Sequence, residues 1–181
     1  MPDHHGHDET QELTQFRAAK DAFMKEDEQS PLPSEERENF PGLSYYPYNP
    51  DLHLQLPLDR DVPAEPITME TSTGSRREYR RVGKIRFEVD GTPAELMIYQ
   101  GSDGSLFLPL RDATSGKETY GAGRYVEPEM VGDDQVDADL NYLYNPYCAY
   151  NEAYSCPLPP IENWLRVPIE AGEKVYRKAD S

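Results

Sequence analysis

Both cysteines of the chain lie in one short stretch, Asn145–Asn163, which is called the cysteine loop below. Cys148 and Cys156 are separated by seven residues, and four prolines stiffen the chain around them. Zinc needs four ligands, mostly Cys or His, and His53 is the only histidine beyond the amino terminus. A metal site here is therefore disfavoured, and so is a catalytic Cys–His pair. A disulfide is geometrically possible, but a reducing cytosol opposes it, and the sequence favours two buried structural cysteines.

Six polar residues in and around this loop form the predicted ligand-binding set: Asp112, Arg124, Asn145, Tyr150, Glu162 and Asn163. Arg124 follows two glycines, which leave room for its side chain to turn inward. A buried arginine needs a carboxylate partner, which Asp112 or Glu162 could supply. The favoured hypothesis is structural: the ion pair fastens the loop to a sheet, and the two asparagines cap turns. The alternative is functional: Arg124 holds an anionic ligand while Glu162 acts as an acid or a base.

Seven of the thirteen tyrosines lie between Tyr120 and Tyr154. Tyrosines that line a cleft offer flat stacking surfaces with polar tips, which suits a flat or sugar-like ligand. Tyrosines that pack a loop against a sheet need no ligand, and this second interpretation is the simpler one. The sequence leaves both open.

The segment from Ser75 to Arg86 contains five arginines, one lysine and one glutamate, and is the one basic island of the chain. Strand alternation would place Arg77, Tyr79 and Arg81 on one face. Such a face could grip a phosphate group or a nucleic-acid backbone. Weak ion pairs with the acidic surface are the favoured interpretation. The run Pro157–Pro160 is similarly interpreted as a rigid brace rather than as a ligand for a partner protein.

The amino terminus suggests one further metal site. Removal of Met1 would leave His4 as the third residue, where the terminal amine, two backbone nitrogens and the imidazole could bind Cu(II) or Ni(II) in a square plane. His4 is therefore the predicted metal ligand. A mobile tail with no metal is the favoured alternative.

The composition restricts the classes of protein to be considered. The 181 residues carry 34 acidic and 18 basic side chains, a net charge of −16, which predicts adaptation to a salty, halophilic cytosol. An acidic surface argues against nucleic-acid binding, which requires basic residues. No run reaches the ~20 apolar residues that span a bilayer, and no secretory signal begins the chain. A cytoplasmic, soluble protein without a cofactor or a membrane partner is therefore expected.

The elements that must position these residues follow a simple order. Residues 1–8 are predicted to be a flexible tail, and residues 9–181 a single domain. Within it we expect a helix over residues 9–28 with Asp8 as its N-cap, an irregular wrap over 40–66, a sheet over 67–140, and the Pro/Tyr/Cys-rich loop and carboxy-terminal segment over 141–174. A further helical turn is expected near Ser34.

The predicted strands are short and separated by turn residues. They are Leu52–Leu56, Ile67–Thr71, Arg77–Val82, Ile85–Val89, Ala94–Tyr99, Leu106–Leu110, Arg124–Val126 and Val136–Leu140. Asp90-Gly91 is the strongest hairpin signal. The expected fold is mainly β, with α+β as a possibility: an antiparallel sheet rolled into a sandwich or small barrel, with an amino-terminal helix.

Several motifs together resemble a known family. They are the run Phe107–Tyr125, the segments Asn141…Tyr144–Tyr150 and Tyr154–Asn163, and the earlier runs Phe16-Arg17, Ser30-Pro31-Leu32 and Phe40–Tyr46. This pattern is similar to that of domain-of-unknown-function family 1684. The resemblance implies a shared single-domain fold and a shared polar site, and it implies no established activity. Where the family pattern resembles Asp-Phe-Asn, this chain has Asp139-Leu140-Asn141.

Two functions follow from these observations. The first is binding of a small polar or anionic ligand at a site formed by the segments Gly121–Tyr125 and Asn145–Asn163. The alternative is a protein-interaction module that uses the rigid Pro/Tyr-rich loop and has no catalytic activity. Enzymatic activity is left undecided. A concave site with these side chains pointing inward would separate the two functions.

Overall fold

The structure of the protein is a computed structural model that describes residues 3–176, with the side chains of residues 8–176. Helix α1 spans Asp3–Glu26, so it begins earlier and ends earlier than the sequence predicts. Asp8 lies inside the helix and is not its N-cap. No proline interrupts residues 3–8, so the helical backbone can continue through this segment although Gly6 and Asp8 are weak helix formers. At the other end, the Ser30 hydroxyl donates to the Met24 carbonyl at 2.6 Å and turns the chain away before Pro31.

Helix α2 spans Ser34–Glu38, where one helical turn is predicted. The chain then wraps irregularly around the domain until β1, His53–Pro57. The helix α1 is held against this wrap by polar contacts: Arg17 donates to the Tyr46 carbonyl at 2.8 Å, and the Tyr45 hydroxyl donates to Asp21 at 3.0 Å.

The larger sheet is a five-stranded antiparallel meander. Its strands, in both chain and spatial order, are β2 Ile67–Glu70, β3 Arg76–Val89, β4 Thr92–Gln100, β5 Leu106–Leu110 and β6 Arg124–Val126. The β3–β4 hairpin turns at Asp90-Gly91, as predicted. Both residues have positive φ, 50° and 81°, which a tight two-residue turn of this kind requires.

Strand β3 corrects one prediction. The sequence suggests two strands, Arg77–Val82 and Ile85–Val89, whereas the chain is continuous and its register shifts between Arg81 and Gly83. A Cβ at Gly83 would lie only 2.7 Å from the Leu58 side chain, so the glycine permits the bulge where the wrap crosses the strand.

The smaller sheet has the order β1-β8-β7, with β7 Glu129–Val131 and β8 Gln135–Asp139. Strand β7 was not predicted, because it is three residues long and mostly exposed. The two sheets curl around one core, with Ile85, Leu96, Ile98 and Leu108 from one sheet facing Leu54, Val136 and Ala138 from the other. The result is a mainly β half-barrel with an amino-terminal helix, which confirms the predicted fold class. No helix in residues 3–176 has the length and hydropathy to cross a membrane.

Candidate ligand-binding cleft

The cysteine loop is fixed to the edge of the larger sheet beside β2. Pro157 forms a β-bridge with Thr71, Leu158 N donates to the Glu70 carbonyl at 2.8 Å, and Ser72 N donates to the Cys156 carbonyl at 2.9 Å. Prolines lower the freedom of the unfolded loop and so reduce the entropy lost when it is ordered. The loop is therefore a rigid wall attached to the sheet.

Asn163 anchors the end of the loop by acting as a peptide group between β4 and β5. Its Oδ1 accepts from Met97 N at 2.8 Å, and its Nδ2 donates to the carbonyls of Met97 and Pro109 at 2.9 and 2.8 Å. Strands β4 and β5 pair Tyr99 with Phe107. Two residues further along, the same antiparallel register places Met97 opposite Pro109. Proline has no backbone N–H to donate. The asparagine amide supplies the missing donor, so the fold gives this side chain a structural role.

Arg124 lies under the loop and fastens the carboxy-terminal segment. Its side chain is fully buried, and Nη2 lies 3.5 Å from Asp112 Oδ1. The guanidinium also donates to the carbonyls of Ile169 at 2.9 Å and Glu173 at 3.1 Å, and to that of Ala171. The partner is thus Asp112, one of the two predicted.

Glu162, the other predicted partner of Arg124, lies elsewhere. It accepts from Arg81 Nε at 3.0 Å and from the Tyr99 hydroxyl. Burial, and then the hydrogen bond to Glu162, raise the pKa of Tyr99, so this phenol stays protonated and keeps donating. Glu162 therefore ties the loop to β3 and β4.

Asn145 and Tyr150 belong to a buried network centred on Glu173. One carboxylate oxygen of Glu173 accepts from Asn145 N at 3.0 Å and from the Tyr150 hydroxyl at 2.8 Å, and the other forms an ion pair with Lys20. Asn145 Nδ2 donates to the Lys174 carbonyl at 3.0 Å. Burial raises the pKa of Tyr150 well above its usual value. The network joins α1, the loop and the carboxy-terminal segment.

A cleft of about 550 Å³ opens between α1 and the cysteine loop, and β3 and β6 contribute to its walls. The helix lines one side with Phe16, Lys20, Phe23 and Met24. The remaining lining residues are Arg77, Tyr125, Glu127, Tyr144, Pro146, Tyr147, Tyr154, Ser155, Cys156 and Pro157. The cleft thus has an aromatic and apolar body with a few charged groups, the usual character of a small-molecule site.

Several of the cleft's aromatic rings are held in place by their hydroxyl groups or by neighbouring rings. The hydroxyl of Tyr125 donates to the Pro157 carbonyl, and that of Tyr144 donates to Glu127. Tyr147 and Tyr154 meet edge to face, with centroids 5.2 Å apart, at the exposed rim. Burial raises the pKa of Tyr125 and of Tyr144, so both phenols remain neutral donors. The walls are therefore preorganised.

Two cationic side chains, Lys20 and Arg77, line this cleft, and only Lys20 forms an ion pair among the described residues. The Lys20 ammonium is paired with Glu173 and lies 5.0 Å from the centroid of the Tyr144 ring. Arg77 Nη2 donates to the Ser155 carbonyl at 2.7 Å, and among the described residues no carboxylate lies within ion-pairing distance of this guanidinium. Arg77 consequently presents a guanidinium without an ion pair in a chain of net charge −16, and Glu127 is the one carboxylate among the described lining residues of the cleft.

A second cleft of about 580 Å³ adjoins the first and shares Phe16, Glu127 and Tyr144 with it. It is acidic: its other lining residues include Glu9, Glu12, Glu129, Asp137 and Asp139, together with His53. His53 Nε2 lies 3.0 Å from Asp137, and Nδ1 lies 3.3 Å from Glu9. Burial lowers the pKa of His53, but the hydrogen bond to Asp137 and the charges of Asp139 and Asp137 outweigh it, so the net shift is upward.

The structure brings the two predicted segments together but not the six predicted side chains. Tyr125, residues 146–147 and residues 154–157 line the aromatic cleft. The six predicted residues are absent from its described lining: Asp112, Arg124, Asn145, Tyr150, Glu162 and Asn163. The sequence missed the contribution of α1. Its signal was present, because Phe16, Lys20 and Phe23 follow helical spacing and place a cation within an apolar stripe.

The described residues contain no group of three or more His, Cys, Asp or Glu side chains suited to a metal ion. The side chain of His4 is outside the described residues, so the amino-terminal Cu(II) or Ni(II) site stays a prediction. Cys148 and Cys156 are both buried free cysteines.

Comparison with known proteins gives a fold relative and a family. A solution NMR structure of an uncharacterized protein from Haloarcula marismortui is 37% identical, with a TM-score of 0.70, over 95% of this chain and 97% of that chain. No curated protein matches the sequence. The family described as "Protein of unknown function (DUF1684)" matches residues 38–174, most of the domain, and the resemblance predicted from the sequence motifs is thereby confirmed. The chain belongs to this family of unknown function.

Proposed function

We propose that this protein binds a small organic carboxylate with a flat, preferably aromatic body in the cleft between α1 and the cysteine loop. The observation that carries the proposal is Arg77, a guanidinium without a carboxylate partner at the edge of an aromatic cleft. A guanidinium matches a carboxylate with two parallel hydrogen bonds, which gives both strength and orientation.

The cleft walls support a flat body for the ligand. Phe16, Tyr144, Tyr147 and Tyr154 present ring faces or edges around the cleft, and rings of this kind favour offset or edge-to-face contact with another ring. Stacking of this type contributes about 0.5–1.5 kcal/mol per ring pair beyond the buried area. Tyr147 and Tyr154 are still partly exposed, so their hydroxyls are accessible to a ligand.

The neighbouring acidic cleft supports one orientation of the ligand. Its carboxylates lie beyond the shared wall of Phe16, Glu127 and Tyr144, in a cleft that Arg77 does not line, and they would repel a second negative charge there. The carboxylate of the ligand therefore faces Arg77, and the apolar body points towards Phe16. A ligand with negative charges at both ends is disfavoured.

This proposal keeps the predicted segments as the site and changes the residues that contact the ligand. The contacts of Asp112, Arg124, Asn145 and Asn163 within the fold support a positioning role for them. Tyr150 and Glu162 also hold the loop in place without lining the cleft. Tyr150 donates to Glu173, and Glu162 accepts from Arg81. The proposal includes no reaction.

Titration with benzoate and indole-3-acetate tests the proposal, with benzyl alcohol as the uncharged control. We expect shifts of the backbone amide NMR signals of residues 144–156 with the two carboxylates and much smaller shifts with the alcohol. Arg77→Gln should weaken carboxylate binding about ten- to hundredfold, since a charged hydrogen bond contributes about 1.5–3 kcal/mol. Arg76→Gln is the matched control, because adjacent strand residues face opposite sides. Equal binding by both variants, or no shifts at millimolar probe, would overturn the proposal.

The protein-interaction function remains a second candidate, and one observation favours it. Ile161 and Trp164 are 76% and 47% exposed at the far end of the loop, and Arg111 lies 4.4 Å from the Trp164 ring centroid. Exposed Trp and Arg are typical of the residues that dominate protein interfaces. Such a surface would not involve the cleft.

The two candidates give different results in one pair of variants. If the loop binds a protein, Trp164→Ala removes the interaction and leaves carboxylate binding at Arg77 unchanged. If the cleft is the functional site, Tyr154→Ala weakens carboxylate binding, and Trp164→Ala does not.

A further inference from the structure

The two cysteines lie together beneath the cysteine loop. The sulfur of Cys156 accepts a hydrogen bond from Cys148 N at 3.3 Å, and the Tyr120 hydroxyl lies 3.6 Å from the Cys148 sulfur. Both thiols belong to an apolar cluster with Met69, Phe107 and Tyr125. They are 6% and 8% exposed, so neither is an ordinary surface thiol.

Separate elements hold the two backbones in this position. Cys148 lies in a 3-10 turn, Tyr147–Ala149, and Cys156 is fixed to the sheet edge by Ser72. Cys156 N donates to Ser72 Oγ at 3.1 Å, and Ser72 N donates to the Cys156 carbonyl at 2.9 Å. The proximity of the sulfurs is therefore built into the docking of the loop.

The surroundings shift the pKa values of the two thiols in opposite directions. The hydrogen bond from the Cys156 thiol lowers the pKa of Cys148 to about 6. The Tyr120 and Ser72 hydroxyls act in the same direction, whereas burial acts against it. The same hydrogen bond between the two thiols raises the pKa of Cys156. The negative charge of the pair therefore resides mainly on the Cys148 sulfur and the proton on Cys156, and a thiolate is the reactive form of cysteine.

Access to the pair is through the cleft, because Cys156 forms part of its wall. Arg77 donates to the carbonyl of Ser155, the residue before Cys156. An incoming molecule that carries a carboxylate would thus be drawn towards the two neighbouring sulfurs. This entrance uses the same cleft as the proposed function but does not require an aromatic ligand.

We propose that Cys148 and Cys156 are a reactive dithiol, which an anionic low-molecular-weight disulfide entering through the cleft oxidises to a Cys148–Cys156 disulfide. The Cys148 thiolate attacks one sulfur of the small disulfide, which releases one small thiolate and leaves a mixed disulfide on Cys148. Cys156 then gives its proton to that thiolate and attacks the Cys148 sulfur. The second small thiolate leaves as the new bond forms, so two cysteine sulfurs are oxidised and two small-molecule sulfurs are reduced.

Oxidised glutathione is the probe, applied to the full chain and followed by intact-mass and peptide mass spectrometry. We expect the native chain to lose two hydrogens and to keep no glutathione. Cys156→Ser should retain one glutathione on residue 148, because the resolving thiol is missing. Cys148→Ser should react much more slowly. A native chain that stays unchanged while the urea-unfolded chain reacts would overturn the proposal, as would equal adduct formation by the two variants.

Arg77 separates this proposal from the proposed function. Arg77→Gln should slow oxidation by glutathione disulfide several-fold and leave oxidation by cystamine, a cationic disulfide, at its original rate. Equal slowing with both reagents would show that Arg77 does not select anions. Carboxylate binding without dithiol oxidation would overturn only the dithiol proposal, and oxidation without benzoate or indole-3-acetate binding would overturn only the proposed function.

Discussion

Arg124 and Asp112 form a fully buried ion pair, with 3.5 Å between Nη2 and Oδ1. The Asp112 carboxylate also accepts from the Thr114 hydroxyl at 2.8 Å and from Ile169 N at 2.6 Å, so its charge is surrounded by donors. Buried pairs of this kind gain little over apolar substitutes, but the loss of one partner leaves an uncompensated charge. The pair therefore makes the carboxy-terminal segment dependent on a single arginine.

Arg124→Ala should lower the free energy of unfolding by about 3 kcal/mol or more, because it leaves the Asp112 charge without its ion-pair partner and three carbonyl groups without their donor. Urea denaturation measures the loss. Arg111→Ala is the control, since Arg111 stacks on the partly exposed Trp164 and its removal should cost about 1 kcal/mol or less. An Arg124→Ala protein as stable as the Arg111→Ala protein would contradict the structural role.

Asn163→Ala should destabilise the protein by about 3 kcal/mol, since it leaves the N–H and carbonyl of Met97 and the carbonyl of Pro109 unsatisfied in the core. The amide hydrogen of Met97 should also exchange faster with solvent. Asn151→Ala is a suitable comparison, because Asn151 makes one long hydrogen bond of 3.3 Å to Pro31 and a local one to Ala153. Unchanged exchange at Met97 would show that Asn163 does not bridge the strands.

The contrast between these two residues shows which parts of the site could be predicted. The Arg124–Asp112 pair was anticipated because a buried guanidinium requires a carboxylate, whatever the fold. The role of Asn163 depends on the register that places Met97 opposite Pro109, and nothing near Asn163 in the sequence indicates that register.

The same distinction applies to the fold. Asp90-Gly91 predicts its hairpin because two successive positive φ angles are a local requirement. The bulge at Gly83 was not predicted, because it reflects the crossing of Leu58 from the wrap. The cleft was missed for the same reason: Phe16 and Tyr147 face it from elements that are distant in sequence and meet only in the folded chain.

His53 should make stability depend on pH. Its folded pKa is raised above the unfolded value of ~6.5. The protonated ring therefore contributes stability that is fully present below pH ~6.5 and is lost as the pH rises through the folded pKa. The groups that face the ring are Glu9 from α1 and Asp137 and Asp139 from β8.

We expect the melting temperature to fall as the pH rises above ~6.5, and His53→Gln to reduce this slope. Thermal unfolding followed by circular dichroism at constant ionic strength measures it. NMR titration of the imidazole gives an independent reading, and a pKa below that of a histidine in a short peptide would contradict the assignment.

The net charge of −16 should make stability depend on salt. The acidic cleft concentrates the repulsion, since Glu12, Glu129, Asp137 and Asp139 line one depression. At 1 M salt the Debye length is ~3 Å, which screens most exposed pairs of charges. The melting temperature should therefore rise as NaCl or KCl increases from low to molar concentration, and a flat or falling curve would show that repulsion does not limit stability.

The double substitution Glu12→Gln and Glu129→Gln tests the cause. Removing two charges from the cleft should raise the melting temperature at low salt, and the difference from the native chain should shrink at about 1 M because screening has then already removed the repulsion. A difference that persists unchanged at high salt would assign the effect to packing or hydration of these two side chains instead of to charge.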